Sequence, residues 1–110
     1  MPIPEIFPAE LAEQLSGPPE KRPALLDVRF PDENAYVALP DSVLIPLPEL
    51  DERVDELEAL RGRPVVVYCH HGVRSLDGTA FLRALGLDAV SLRGGIDLYS
   101  LRVDPSLPRY

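Results

Sequence analysis

The sequence predicts an α/β fold, a small parallel β-sheet of about five strands flanked by helices on both faces. Three observations carry that reading. Short apolar runs alternate along the chain with segments of helical periodicity, as parallel strands joined by crossover connections require. The run Pro64-Val65-Val66-Val67-Tyr68 suits a buried strand and is too short for a core helix. It ends on Cys69, the only cysteine in the chain, just before a glycine-containing turn and the start of a helical pattern. In open sheets of this kind, sites gather outside the carboxyl ends of the strands, where loop amides and a helix N-terminus can face an anion.

Taken in order, residues 3–7 predict a short edge strand, because Pro2 and Pro4 disfavour a central position in a sheet. Pro8 suits the first turn of a helix in which Leu11, Ala12 and Leu15 share one face, and Gly17-Pro18-Pro19 stops it. A loop to Pro23 leads into a buried strand over 24–28, which delivers Asp27, Arg29 and Phe30 to its carboxyl end. Residues 31–34 open a turn or a short helix. Val43-Leu44-Ile45 is a third strand, closed by Pro46. Leu47, Leu50, Val54, Leu57 and Leu60 then recur at helical spacing among Asp51, Glu52, Asp55, Glu56 and Glu58, which predicts one amphipathic helix ended by Gly62. Its acidic face is either solvated or a docking patch for a basic partner. After the central strand and the cysteine loop, a helix spans about 75–85 and stops at Gly86. Residues 89–92 form the last strand, Gly94-Gly95 the turn after it, 96–103 a final helix and 104–110 a proline-stiffened tail.

At 110 residues, 45% hydrophobic and 26% charged, the chain is expected to form one globular domain over residues 1–110 and not a disordered segment. Its net charge of −7 argues against nucleic acid and anionic membranes as partners. No apolar run approaches the ~18 residues of a membrane span. The start Met1-Pro2-Ile3-Pro4-Glu5 has neither the basic residues nor the apolar stretch of a secretory signal, and a lone cysteine makes no internal disulfide. Both favour a cytoplasmic protein.

The chemistry is expected in the cysteine loop. A thiol reacts as its thiolate. Loop amides and the following helix offer partial positive charge to that anion, Arg74 adds a permanent cation, and His70 or His71 adds another when protonated. Gly72 lets the backbone curl so that its N–H groups converge on the sulfur. The simpler alternative is that Cys69 is a small buried hydrophobe at a strand end. Metal binding by Cys69, His70 and His71 is disfavoured because adjacent ligands on a tight turn rarely reach one ion, so no metal and no cofactor is assigned. Asp27 and Arg29, at a neighbouring strand end, read as a structural brace or as supporting site residues.

These residues resemble a known family. Cys69-His70-His71-Gly72-Val73-Arg74-Ser75 looks like the active-site loop of single-domain rhodaneses. Leu25-Leu26-Asp27-Val28-Arg29 with Pro31, Ile45-Pro46-Leu47 with Glu49-Leu50, and Leu92 with Gly94-Gly95 and Tyr99 resemble its other signatures, so the likeness covers nearly the whole chain. The tail from Val103 through Tyr110 is similar to rhodanese domains joined to adenylyltransferases that activate sulfur-carrier proteins.

The resemblance implies a rhodanese-like fold and a sulfurtransferase. Cys69 would take sulfane sulfur from a donor such as thiosulfate or a persulfide, hold it as a persulfide, and pass it to cyanide, a thiol or a protein acceptor. The amides of His70, His71, Gly72, Val73, Arg74 and Ser75 would cradle the persulfide, and Arg74 would stabilise the anionic donor. A sulfur-carrier or desulfurase protein is the partner it suggests. Related phosphatases and arsenate reductases carry a loop one residue longer, which favours sulfur over phosphate here. A binding module with the same fold is the other alternative. The sequence also departs from the family. His70 stands where thiosulfate-using members often have arginine, which predicts poor use of thiosulfate. Ala38 replaces a frequent histidine, and Tyr99 replaces a frequent tryptophan and is expected to pack. His71 is either a proton donor to the leaving group or a solvent-facing loop residue.

Overall fold

A computed structural model describes residues 2–110. Its strands are β1 (Glu5–Ile6), β2 (Ala24–Asp27), β3 (Val43–Leu44), β4 (Val65–Tyr68) and β5 (Ala89–Leu92). Its α-helices are α1 (Pro8–Leu15), α2 (Pro31–Tyr36), α3 (Val54–Glu58), α4 (Arg74–Ala84) and α5 (Gly95–Arg102). All strand pairs are parallel, in the order β1-β5-β4-β2-β3. From β2 the chain moves outward to β3, then returns to lay β4 on the other side of β2. The carboxyl ends of β2 and β4 therefore flank the point where the winding reverses, the usual crevice for a ligand in such sheets.

Side-chain alternation along the strands fills one apolar cluster on each face of the sheet. Leu26, Val28, Val65, Val67 and Cys69 pack with Leu57 of α3 and Leu82 of α4. Leu25, Val66 and Tyr68 pack with Leu11 of α1 and with Ile96 and Tyr99 of α5. The parity matters for function, because Cys69 continues the face of Val65 and Val67 and so lies on the side covered by α4. Gly78 lets α4 sit low on that face: a Cβ there would stand 3.2 Å from Val67 and 3.3 Å from Val28. Tyr99 is buried in the other cluster, as packing requires.

One segment differs from the expectation, and two others become more definite. The single helix predicted from Leu47 to Leu60 is a 3₁₀ segment, Leu47–Glu52, followed by α3. Pro46 and Pro48 are compatible with a first helical turn, and the break comes at Arg53, which leaves helical geometry (φ −122°, ψ 34°) while its guanidinium bonds Glu49 behind it and Glu56 ahead. The apolar stripe survives, with Leu50 and Leu57 buried. Residues 31–34 belong to a full short helix, α2, in which the Glu33 carboxylate turns back to accept the Phe30 N–H at 3.1 Å. The tail is not a free extension. The Ser100 hydroxyl donates to the Leu107 carbonyl (2.7 Å) and Arg109 pairs with Asp97 (2.8 Å), which directs Tyr110 back across the carboxyl end of the sheet. Among the described residues, no helix is long and apolar enough to cross a membrane.

Candidate active site

Cys69 follows β4 directly and is 1% exposed. Its Sγ accepts the N–H of Gly72 at 3.1 Å and that of Ser75, in the first turn of α4, at 3.3 Å. The thiol donates to the Ser75 hydroxyl at 3.4 Å. Of the loop amides from His70 to Ser75, these two make the hydrogen bonds to sulfur.

The shape of the loop is set by backbone contact with the start of α5. Ile96 N–H donates to the Cys69 carbonyl (2.9 Å) and Asp97 N–H to the His70 carbonyl (3.1 Å). Glycine is needed on both sides. Gly72 has φ +88°, and a Cβ there would lie 2.8 Å from the Gly94 nitrogen; Gly95 has φ +63°, and a Cβ there would lie 2.4 Å from the His70 oxygen.

His70 lies between two rings, stacked on His71 (centroids 3.8 Å apart) and on Tyr110 (3.7 Å, 5° between planes). Burial, then the neighbouring His71, lower the His70 pKa below the ordinary imidazole value. At neutral pH His70 is therefore uncharged and gives the sulfur no cation. Its Nε2 is buried without a hydrogen-bond partner. His71 is exposed, 3.8 Å from Asp97. His70, His71 and Asp97 do bring ligand atoms within 4.8 Å of one another. Stacked imidazoles, however, send their in-plane lone pairs side by side and not to one point, and Arg109 already engages the carboxylate. The cluster is a poor metal site. Val73 is largely exposed at the head of α4.

Arg74 does not aim both arms at the sulfur. Its two terminal nitrogens bind Glu33 at 2.8 and 2.9 Å, with its side chain one-third exposed. That pair holds the Glu33 carboxyl down at about 2, with lesser help from Tyr110, whose hydroxyl donates to Glu33 at 2.6 Å. Burial, then the bond to Glu33, push the Tyr110 phenol up to about 12.

Asp27 and Arg29 are both fully buried and form a bidentate pair, Nε to Oδ1 at 2.9 Å and Nη2 to Oδ2 at 2.7 Å. Arg29 also donates to the Val37 carbonyl (2.6 Å) and to the Tyr110 hydroxyl (2.9 Å), while Asn34 donates to Asp27 (3.0 Å). Burial opposes the Arg29 charge, but the bonds to Asp27 and Tyr110 outweigh it and raise its pKa. The pair ties the end of β2 to the loop after α2 and to the tail. It braces the wall of the site.

Sequence reasoning thus gathered the cysteine loop and missed Glu33, Ser91 and Tyr110. Glu33 and Tyr110 act across 41 and 77 residues of chain, and no local pattern marks such partners. Ser91 occupies an inward strand position beside Ala89 and Leu92, which was the available signal. A cleft of about 360 Å³ between Pro23, Pro40, Val43 and Arg63 lies at the amino ends of β2 and β4, remote from the thiol.

A family model described as the rhodanese-like domain matches residues 7–101. A sulfurtransferase from Allochromatium vinosum is 38% identical over 73 residues, 66% of each chain. The adenylyltransferase and sulfurtransferase uba4 of Ogataea parapolymorpha is 33% identical over 99 residues, 89% of this chain. This chain spans 25% of that protein's length and well under half of other relatives that combine domains. The crystal structure of a rhodanese-related protein from Thermoplasma volcanium superposes with a TM-score of 0.79 at 33% identity, covering 96% of this chain and 95% of that one. The five-stranded parallel sheet is therefore that of the rhodanese fold, and the chain belongs to the rhodanese-like sulfurtransferase family.

Proposed function

We propose that residues 1–110 act as one sulfurtransferase domain that carries sulfane sulfur on Cys69. The supporting observation is the thiol at the end of β4 with the Gly72 and Ser75 amides directed at its sulfur. The Cys69 thiolate attacks the outer sulfur of a donor. With thiosulfate, the sulfur–sulfur bond of the donor breaks, sulfite leaves with the electron pair, and Cys69 becomes a persulfide anion. Cyanide or a thiolate then attacks the outer sulfur, taking it as thiocyanate or a new persulfide and returning the thiolate. A covalent intermediate of this kind gives ping-pong kinetics.

The donor follows from the charges at the mouth. His70 is neutral and Arg74 is shared with Glu33, so a doubly charged donor meets little free positive charge. Thiosulfate is accordingly a poor donor, and a persulfide a better one. With one cysteine among these 110 residues, no second thiol within them resolves the intermediate, and the acceptor comes from outside this domain. A sulfur-carrier or desulfurase protein in the cytoplasm fits that requirement, in keeping with the paired activities named for the uba4 relative.

The test is the intact mass of the protein after exposure to thiosulfate or a low-molecular-weight persulfide, and again after cyanide, beside Cys69→Ser. One added sulfur atom, removed by cyanide and missing in the variant, supports the reading. No addition from either donor, with Cys69 still open to alkylation, favours a binding module. Cys69-dependent hydrolysis of an aryl phosphate would favour the phosphatase alternative.

A further inference from the structure

We propose that Ser91 is a positioning residue for Cys69, acting through the Ser75 hydroxyl; its value to catalysis rests on Cys69 being the sulfur-carrying thiol. Ser91 lies on β5, fully buried, between core residues Ala89 and Leu92. A hydroxyl buried there without a partner would be unfavourable. Its partner is the Ser75 hydroxyl, 2.7 Å away and equally buried. The Ser91 backbone N–H donates to the Pro4 carbonyl, so the strand ladder does not depend on the side chain.

The two hydroxyls form a short chain behind the sulfur. While Cys69 is a thiol, its S–H donates to Ser75; either serine can be the donor in the Ser75–Ser91 bond, and in the chain we infer for this state Ser75 donates to Ser91. When the proton leaves sulfur, both hydroxyls turn: Ser91 donates to Ser75 and Ser75 donates to Sγ. The S–H proton is released to solvent base; the O–H bonds of both serines stay intact and no proton changes its oxygen. The reversed chain ends on an anion, so its bonds are charge-assisted and reinforce each other more than in the thiol arrangement. Ser91 thus favours the state that attacks the donor, and keeps Ser75 aimed at Sγ once the persulfide has formed.

The charged and titratable groups around the thiol are Arg74 on α4, His70 and His71 in the loop, Glu33 on α2, Asp97 on α5, Tyr110 from the tail, and the Asp27–Arg29 pair beyond β2. All remain in Ser91 variants, so a changed pH profile reports the hydroxyl chain.

The experiment is the rate of Cys69 alkylation by iodoacetamide across pH 5–10, which needs no sulfur donor and so stands even if persulfide transfer fails. Ser91→Ala is expected to alkylate about three- to tenfold more slowly at pH 7, with the half-point of its profile displaced upward. Ser91→Thr and Ser91→Val match in shape and differ in the hydroxyl; threonine should follow the parent and valine should follow alanine. In a Ser75→Ala background, Ser91→Ala should add nothing. A Ser91→Ala profile equal to the parent's would overturn the proposal. So would an equal slowing in the Ser75→Ala background, or threonine and valine variants that behave alike.

Discussion

The Tyr110 ring lies parallel to that of His70, 3.7 Å away, although forty residues of chain separate them. Desolvation is the first cause of the lowered His70 pKa. Tyr110→Ala should therefore return water to the imidazole and bring its titration back toward the ordinary value. An NMR titration of the His70 ring protons reads this directly; an unchanged midpoint would assign the desolvation to other neighbours.

Glu33 is an acid whose folded pKa is depressed, from 4.5 to about 2, chiefly by Arg74. A group of this sign stabilises the fold fully above its unfolded value and loses that contribution as pH falls toward the folded one. The window is thus pH 4.5 down to about 2. With partial solvent screening of Arg74, Glu33→Gln should lower stability at pH 7 by on the order of 1–2 kcal/mol. The difference from the parent should shrink across that window in denaturant titrations at several pH values.

Asp27 and Arg29 are predicted to brace the fold. Asp27→Ala leaves the buried Arg29 guanidinium without its counter-ion, which should lower unfolding stability by about 3–5 kcal/mol. Urea titration checks this. A variant as stable as the parent but without transfer activity would instead mark Asp27 as part of the chemistry.

Glycines of similar backbone should respond differently to alanine. Gly62 (φ +93°) has no atom within 4 Å of an added Cβ, so Gly62→Ala meets backbone strain alone, about 1–2 kcal/mol. Gly95→Ala meets that strain and the His70 carbonyl at 2.4 Å. It should be more destabilised on thermal unfolding and should slow Cys69 alkylation, whereas Gly62→Ala should alkylate at the parental rate.

The succession of strand, cysteine loop and helix was readable where local pattern decides it. Val65-Val66-Val67-Tyr68 could hardly be anything but a buried strand, and the alternation of its side chains dictates the face on which Cys69 emerges. The helix from Leu47 was misjudged because apolar spacing does not distinguish a continuous helix from a 3₁₀ segment and an α-helix that share one stripe. Arg74 was expected to face the donor. Its engagement by Glu33 joins the start of α4 to α2 across 41 residues of chain, which periodicity does not encode. Tyr110 was lost for the same reason, since a proline-rich tail announces stiffness but not direction.

The bonds that fold the cysteine loop against α5 are made by carbonyls and amides, with glycines at the points of closest approach. The side chains of His70, His71 and Val73 have no part in those bonds. If Cys69 carries sulfur as proposed, nucleophile and recognition surface are thereby separable modules: these three positions could be exchanged to retune which donor is admitted while the sulfur keeps its setting, which would make the loop a scaffold for engineering donor choice.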